Sequence, residues 1–291
     1  MKRLLTRLTA LLTLTLLLPC VALAAKPADW PEKLTLGMIP TESSSHITDR
    51  FGNLAAYLEK RLGLPVEMKT STDYSGVITA LQFKHVDVAY LGPKSYVEAA
   101  ARAGAEAFAL EVLEDGTQGY HGVIIARKDS GIKSMTNLKG KTWAFTDPNS
   151  TSGTLVPTVY FVKELKIDPE KYFSKTSFSG SHEASILAVK AGRVDAASTN
   201  DLDIDRGNGK LWNKDADFTV LWTSPLIPGS PMAYRKDLPD SLKKAIREAF
   251  LAYNDPQGLK QLKLKGYAAA DDHTYDPIRE QIEVKKQLAK K

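Results

Sequence analysis

Short apolar runs alternate with amphipathic segments along most of this chain, and this alternation constrains the fold more than any other feature. The apolar run at 34–39 precedes apolar residues at helical spacing over 51–62, and a nearly all-apolar run follows at 86–91. Apolar runs of this length are typical of parallel strands, which are buried on both faces. The β-α-β-α-β order therefore predicts an α/β protein whose sheets carry helices on both faces.

The same order of elements occurs twice in the chain. Residues 83–89 combine a helix end, a basic residue and a Val-Asp-apolar-Ala strand, and residues 191–197 have a matching pattern. Two similar α/β lobes are the simplest explanation. The connections between them are short, which predicts a cleft between the lobes where a small ligand binds.

The first residues, 1–24, have the composition of a secretory signal peptide. Three basic residues precede an apolar run at 11–18, and the small-x-small sequence at 22–24 suits a signal peptidase. The run is shorter than the roughly 20 residues of a membrane span, so we expect no membrane insertion of the mature chain. Cys20 suggests a lipid anchor, but Pro19 stands where such sites usually have a small residue. We therefore expect full cleavage and export to the periplasm.

The composition of the mature chain excludes several functions. Cleavage after Ala24 leaves 291 − 24 = 267 residues without cysteine, which removes disulfides, thiol nucleophiles and cysteine metal sites. The leader carries three basic and no acidic residues, so the formal charge falls from +5 to 36 − 34 = +2. This small excess does not favour binding to nucleic acid.

The most informative segment is Asp-Pro-Asn-Ser-Thr-Ser-Gly at 147–153. The hydroxyls of Ser150, Thr151 and Ser152 follow a predicted strand and precede helical sequence. At a helix start, unpaired backbone N–H groups and the helix dipole favour an anion with several acceptor oxygens. A turn with a helix cap explains the same residues. Because proline lacks an N–H, Pro157 predicts a short turn first and a longer helix from about that residue.

Other candidate donors follow strands or begin helices. Thr41 lies in a hydroxyl-rich loop after the first strand, and His182 stands at the head of a predicted helix. Tyr74 begins another helix, and Tyr120 lies between two glycines where the first lobe passes into the second. Each residue also has a purely structural explanation. Thr41 and His182 are explained as turn or helix-cap residues, and Tyr74 and Tyr120 as packing residues.

Catalytic motifs are missing from the sequence. It contains no Gly-x-Ser-x-Gly, no phosphate-binding Walker sequence and no His-Glu-x-x-His, and the glycines at 207–209 lack dinucleotide-binding spacing. Asp201, Asp203 and Asp205 alternate without the glycine and terminal glutamate of an EF-hand loop, so we interpret them as surface or cap residues. We expect neither an enzyme nor a cofactor.

Blocks of sequence in order along nearly the whole mature chain resemble the periplasmic phosphonate-binding proteins of ABC importers. The block at 147–153 is the most specific, and the others lie at 39–43, 72–76, 83–89, 91–96, 119–120, 180–183 and 224–229. This resemblance implies a two-lobed type II binding-protein fold, with a mixed sheet flanked by helices in each lobe. We place the first lobe at 25–118, the second at 119–223, and the return to the first lobe with the C-terminal helices at 224–291.

The resemblance also implies a function and a site. The function is capture of a small phosphorus oxyanion for a permease and an ATPase. Ser150, Thr151 and Ser152 would hold the oxygens bound to phosphorus. The other implied ligand-binding residues are Tyr74, Tyr120 and His182, with Thr41 and Ser95 as weaker candidates.

One departure from the family bears on the ligand. Aminoalkylphosphonate binders of the family place acidic groups against the ammonium, but here the matching positions carry Leu202 and Ser230. Because a buried ammonium without a carboxylate is costly, this favours methylphosphonate, phosphite or hypophosphite over aminoethylphosphonate. Asp201 or Asp203 remains an alternative source of the charge.

Two further alternatives use the same fold. Two tyrosines, a histidine and a carboxylate also suit ferric iron, so a ferric-ion binding protein is the second hypothesis. A further hypothesis keeps the ligand binding but has the closed form dock on a sensor protein instead of an importer.

Overall fold

The computed structural model describes residues 26–288, so the predicted signal peptide and Cys20 lie outside the described residues. The strands form two separate mixed sheets, one of six strands and one of five. The strands are β1 (Leu34–Met38), β2 (Val66–Thr70), β3 (Val88–Tyr90), β4 (Ala105–Leu113), β5 (Gly119–Arg127), β6 (Thr142–Phe145), β7 (Lys175–Phe178), β8 (Ala196–Asn200), β9 (Phe218–Pro228), β10 (Pro231–Arg235) and β11 (Leu264–Ala269).

Helices flank both sheets. They are α1 (Ser44–Leu62), α2 (Tyr74–Gln82), α3 (Pro93–Ala103), α4 (Val156–Val159), α5 (Pro169–Tyr172), α6 (His182–Lys190), α7 (Asp201–Gly207), α8 (Lys214–Asp217), α9 (Asp240–Leu251), α10 (Pro256–Leu262) and α11 (Asp276–Leu288). None of the helices in the described part of the chain combines the length and the apolar character that a membrane crossing requires.

The first lobe is built on the sheet ordered β11-β4-β10-β3-β1-β2. Strands β1, β2 and β3 are parallel, whereas β10 runs antiparallel to both β3 and β4. Helix α1 shows why the sequence folds this way. The side chain of Ser43 caps its start, Gly63 ends it at a φ of 68°, and Phe51 and Leu54 on one face enter the core.

The second lobe is built on the sheet ordered β7-β6-β8-β5-β9. Strands β6, β7 and β8 are parallel, and β5 pairs antiparallel with β8 and β9. One core of this lobe surrounds Trp143, which stacks on Phe173 at 4.8 Å and meets Phe161 edge-on at 5.0 Å. The fold is therefore the two-lobed arrangement of mixed sheets that we predicted.

The chain passes between the lobes on two neighbouring segments. The first crossing connects β4 to β5, and the second lies at 229–230, between β9 and β10. We placed the second boundary at 223, but β9 pairs with β5 as far as Pro228. The strand continues past Pro225 because a bulge opposite Gly122 accommodates this proline within β9.

The segment after β6 also differs from the expectation. We predicted a turn before a helix at about Pro157, but the backbone is helical from Thr151, with wide π-type turns at Thr151–Leu155 and Tyr160–Glu164 on either side of α4. The carbonyl of Gly153, which Pro157 cannot engage, accepts hydrogen bonds from the backbone N–H of Thr146 (3.1 Å) and the hydroxyl of Ser198 (2.6 Å). The proline is tolerated because another element satisfies that carbonyl.

Gly153 is sterically required at this position. A Cβ added there would lie 2.3 Å from Cβ and 2.1 Å from Oγ1 of Thr146. We therefore expect Gly153→Ala to destabilise the protein by about 1–3 kcal/mol, as overpacking of a core does. Thermal unfolding measures the change.

Gly52 provides the matched control, because a Cβ added at this position in α1 meets nothing within 4 Å. Gly52→Ala should stabilise the protein by about 0.5–1 kcal/mol through the better helix propensity of alanine. An unfolding temperature of Gly153→Ala equal to that of the wild type would contradict the steric argument.

Candidate functional site

A small cavity lies between the lobes, at the ends of the strands. It offers about 20 Å³ to the centre of a water-sized sphere, which is more than the roughly 10–15 Å³ that one water needs. Such a space suits a compact group. The residues that line it are Ile39, Thr41, Tyr74, Tyr90, Gly92 and Ser230 from the first lobe and the crossing, and Tyr120, Ser150, Thr151, His182, Asn200, Leu202, Asp203 and Arg206 from the second lobe.

The helix start at 150–153 forms one wall of the cavity. Ser150 caps it, because its hydroxyl accepts a hydrogen bond from the backbone N–H of Gly153 at 3.0 Å. The Thr151 hydroxyl accepts from the backbone N–H of Lys94, in the other lobe, at 2.8 Å. In both residues the oxygen is held by an incoming donor, so the hydroxyl proton is available to an acceptor in the cavity.

His182 lies beside this helix start and is buried. Its Nε2 lies 3.4 Å from the Ser150 hydroxyl, and its Nδ1 lies 3.1 Å from the Thr199 hydroxyl. Burial lowers the pKa of His182, while Asp203 acts in the opposite direction. The imidazole is therefore neutral at neutral pH. It carries one N–H, which lies on Nε2 toward Ser150 or on Nδ1 toward Thr199.

Two tyrosines enter the cavity from different lobes. The hydroxyl of Tyr74 is buried and has no hydrogen-bond partner among residues 26–288. Burial raises the pKa of Tyr74 well above its usual value, and Asp203 and Asp147 add to this. Burial likewise raises the pKa of Tyr120, which the hydroxyls near it only partly offset. Both phenols are therefore neutral O–H donors.

The remaining predicted site residues are placed differently. Thr41 lines the cavity, and its hydroxyl accepts from Arg50 at 3.2 Å. Ser152 is buried beside Gly122 rather than in the lining, and its hydroxyl has no partner of acceptable geometry within the described chain. Ser95 does not line the cavity, because its hydroxyl bonds the N–H and the carbonyl of Gly92 at the start of α3.

Sequence reasoning missed Arg206, and it named Asp203 near the ligand only as an alternative source of charge for an ammonium group. We interpreted Asp203 as a surface or cap residue, but only 5% of it is exposed and it lines the cavity. Its Oδ1 lies 2.9 Å from Nη1 of Arg206, and its Oδ2 accepts from the Asn200 amide at 2.7 Å. The i,i+3 spacing of Asp203 and Arg206 indicates a pair on one helix face, but it does not indicate burial.

The pair belongs to a buried charge cluster that spans the two lobes. Nη2 of Arg206 lies 3.8 Å from Oε1 of Glu111, which in turn lies 4.0 Å from Nη1 of Arg50. Arg50 also donates to Glu42 at 2.5 Å. Burial raises the pKa of Glu111, although the two arginines act against it. Because the side chains come from both lobes, the cluster exists only when the lobes are close.

Direct contacts between the lobes surround the cavity. Nζ of Lys94 donates to the carbonyl of Pro148 (2.7 Å) and to Asn149 Oδ1 (2.9 Å). On the other side, the backbone N–H of Glu183 donates to the carbonyl of Thr41 at 3.1 Å. The structure is therefore that of a closed cleft.

A wider cavity of about 460 Å³ adjoins the small one, and Asp203 and Arg206 line both. At its wall, Nδ1 of His46 lies 2.7 Å from Oε2 of Glu183, in the opposite lobe. With Glu42, these residues form the group among residues 26–288 with ligand atoms close enough to suggest a metal ion. The engagement of Glu42 with Arg50 favours the interpretation as an ion-pair network.

A closed cleft between two α/β lobes, lined by hydroxyl, phenol and imidazole donors at a helix start, defines a solute-binding protein of the two-lobed periplasmic type. The family model for the periplasmic substrate-binding protein of phosphonate ABC transporters matches residues 36–275. The chain belongs to this family, as its sequence blocks suggested.

Relatives and solved structures agree with this assignment. The phosphonates-binding periplasmic protein of Escherichia coli is 35% identical over 85% of this chain and 75% of its own length. The phosphate-import protein PhnD of Mycolicibacterium smegmatis is 31% identical over 88% of this chain and 86% of its own length. The structure of a binding protein component of an ABC phosphonate transporter from Pseudomonas aeruginosa, 35% identical, superposes with a TM-score of 0.85 over 90% of this chain and 88% of that one.

The pair of His46 and Glu183 generates a pH prediction. The hydrogen bond to Glu183 raises the pKa of His46 above 6.5, and burial only partly opposes it. A raised pKa in the folded state means that the stabilisation is fully present below pH 6.5 and is lost as the pH rises through the raised value. The wild type should therefore exceed His46→Gln in unfolding temperature more at about pH 6 than at about pH 9.

The control is His273→Gln. His273 is exposed and pairs with Asp276 in its own segment at 3.2 Å, so its loss leaves the contact between the lobes intact. A difference between wild type and His46→Gln that does not change with pH would refute the role of the pair.

Proposed function

We propose that the protein binds a small phosphorus oxyanion between its lobes and delivers it to the permease and ATPase of an ABC importer. One observation carries the proposal: O–H and N–H donors of both lobes converge on one closed cavity, and the buried Tyr74 hydroxyl there lacks any partner among the described residues. A buried donor without an acceptor is costly. An oxyanion in the cavity would remove that cost.

The chemistry of the donors supports an oxyanion over other small solutes. Ser150 and Thr151 stand at the start of one helical segment and His182 at the start of α6, and at both starts the dipole favours negative charge. Tyr74 and Tyr120 stay protonated, so they add donors without adding negative charge. A desolvated oxyanion needs nearly all its lone pairs satisfied, and we assign these residues, with Thr41, to that task. Ser152, which is buried beside Gly122 outside the lining, would support the helix start that carries Ser150 and Thr151. Ser95, which caps α3, would support the site only indirectly.

The lining also bears on the ligand's substituent. Leu202 and Ser230 contribute no charge to the cavity wall, and the charge of Asp203 is matched by Arg206 at 2.9 Å. An ammonium group would therefore meet no unpaired carboxylate, and burying it would be costly. Together with the small volume of the cavity, this favours methylphosphonate, phosphite or hypophosphite over aminoethylphosphonate.

Delivery follows from lobe closure. The hydrogen bonds of Lys94 and Glu183 form only when the lobes meet, and a ligand that contacts both lobes shifts the population toward that state. The importer would recognise and bind the closed form. Export to the periplasm through a cleaved signal peptide is part of the same proposal.

The ferric alternative is disfavoured by the same side chains. Iron binding by Tyr74 and Tyr120 requires tyrosinate, and burial raises the pKa of both. None of the relatives described above is named for iron. A tyrosinate charge-transfer colour with ferric citrate would revive this alternative.

A thermal-shift screen tests the proposal. The panel contains phosphite, hypophosphite, methylphosphonate, aminoethylphosphonate, phosphate, sulfate and ferric citrate. A ligand at a hundredfold excess over its Kd adds about 2.7 kcal/mol, which raises the unfolding temperature by about 5–10 °C for a protein of this size. We expect this shift with methylphosphonate or the reduced oxyanions. The largest shift with aminoethylphosphonate would overturn the ligand preference, and no shift with any phosphorus oxyanion would overturn the function.

The Tyr74 hydroxyl provides a sharper test. Tyr74→Phe should leave the stability of the unliganded protein unchanged or higher, because it removes a buried hydroxyl without a partner. The affinity for the oxyanion should fall by about tenfold to a hundredfold, since a hydrogen bond to a charged group contributes about 1.5–3 kcal/mol. Isothermal titration calorimetry measures the affinity.

Tyr267→Phe is the matched control. Its hydroxyl is also buried without a partner among residues 26–288, but it lies in the core of the first lobe and does not line the cavity. Its removal should leave the affinity unchanged. Equal losses of affinity in the two variants would show that Tyr74 does not contact the ligand.

A further inference from the structure

Asp203 is the one acidic residue among the described residues that line the cavity. Its Oδ1 is paired with Arg206 and its Oδ2 accepts from Asn200. Each carboxylate oxygen has two lone pairs, so each retains capacity for a second hydrogen bond. The cavity therefore contains an acceptor among donors.

This carboxylate carries a negative charge. Burial raises the pKa of Asp203. The guanidinium groups of Arg206 and Arg50, together with His182 and the hydrogen bond from Asn200, outweigh that effect and hold the pKa below its usual value. Asp203 lines the same cavity as Tyr74 and His182, and its charge acts to raise the pKa of both. A ligand held by those two residues is therefore close to the negative charge of Asp203.

The cavity is small, so a ligand inside it lies close to the residues that line it. About 20 Å³ is available to the centre of a water-sized sphere, and Asp203, Tyr74 and Ser150 all line that space. An oxyanion that contacts Tyr74 and Ser150 in this space therefore lies near Asp203 and its partner Arg206. A bare oxygen against the carboxylate is repelled, whereas a protonated oxygen donates a hydrogen bond to it.

We propose that Asp203 is a specificity-determining residue, which selects oxyanions with a protonated oxygen by accepting a hydrogen bond from the P–OH group. The inference rests on the proposed function and narrows its ligand class. The monoanions of methylphosphonate and phosphite carry a P–OH group. Hypophosphite and sulfate, at neutral pH, carry no O–H group and are rejected.

The test is calorimetric titration of the purified protein with methylphosphonate, hypophosphite and sulfate across the second ionisation of methylphosphonate. Affinity for methylphosphonate should fall by about tenfold per pH unit above that ionisation, because only the protonated form binds. Below it, hypophosphite and sulfate should bind at least about tenfold more weakly than methylphosphonate, although hypophosphite carries the same charge.

Asp203→Asn supplies the second arm. The amide can donate to a bare oxygen, so the pH dependence should flatten and the preference over sulfate should shrink by about tenfold or more. Asp205→Asn is the matched control, since Asp205 lies on the same helix but is exposed and pairs with Lys214. It should retain the wild-type profile.

Other charged or titratable groups lie around Asp203, and both Asp203→Asn and Asp205→Asn retain all of them. They are Arg206, His182, Tyr74, Tyr120, Arg50 and Glu111. If one of these groups caused the pH dependence, Asp203→Asn would keep the dependence. Thermal unfolding checks that this variant folds, because it leaves Arg206 with one partner fewer.

The outcomes separate the inference from the function. Affinity that is constant or rises across the second ionisation, with binding intact, overturns the inference and leaves the proposed function standing. Binding of hypophosphite as tight as that of methylphosphonate does the same. Tightest binding of aminoethylphosphonate, lost in Asp203→Asn, would show that Asp203 faces an ammonium group. The absence of binding by every phosphorus oxyanion at every pH would overturn the proposed function itself.

Discussion

The site depends on how the carbonyl of Gly153 is satisfied. Pro157 leaves this carbonyl without its helical partner, and the N–H of Thr146 and the hydroxyl of Ser198 take its place. These bonds fix the helix start against β6 and β8, so that Ser150 and Thr151 point into the cleft. The geometry also demands a glycine, because any Cβ would collide with Thr146. A backbone requirement thus positions the hydroxyls to which we assign anion binding.

The electrostatics of the closed cleft follow from burial. Phenols and imidazole in the cavity are neutral because desolvation penalises their charged forms, so the donors around an anion do not repel it. The charged groups form a cluster that reaches the same cavity through Asp203 and Arg206, and in it Arg206 links Asp203 of its own lobe to Glu111 of the other. Removing one member leaves a buried partner with one counterion fewer, which is destabilising. The cluster therefore makes the closed state sensitive to any change in charge.

The sequence predicts the lobes and most donors because these depend on local patterns. Alternating apolar runs predict the strands, and hydroxyls at a helix start predict the wall to which we assign anion binding. Position within the assembled protein was not predictable in the same way. Asp203 resembles a surface residue until the other lobe covers it, Ser95 resembles a ligand donor until its hydroxyl turns back to Gly92, and Pro225 resembles a strand end until a bulge accommodates it. The bulge at Pro225 depends on a strand distant in sequence, and the burial of Asp203 depends on the assembled protein, whereas Ser95 is engaged by a residue only three positions away.

Ligand contact and lobe closure are coupled through the same atoms. Thr151 belongs to the second lobe, yet its hydroxyl is oriented by the backbone N–H of Lys94 in the first. Reciprocally, Asp147 of the second lobe accepts from the backbone N–H of Tyr74 at 3.4 Å. Each lobe thus helps to position a residue of the other lobe, Thr151 or Tyr74, whose hydroxyl would contact the ligand. In an open form these hydroxyls are less well oriented. A ligand that prefers the oriented donors stabilises the closed form by the same free energy, and affinity cannot be changed at these residues without changing the fraction of closed protein.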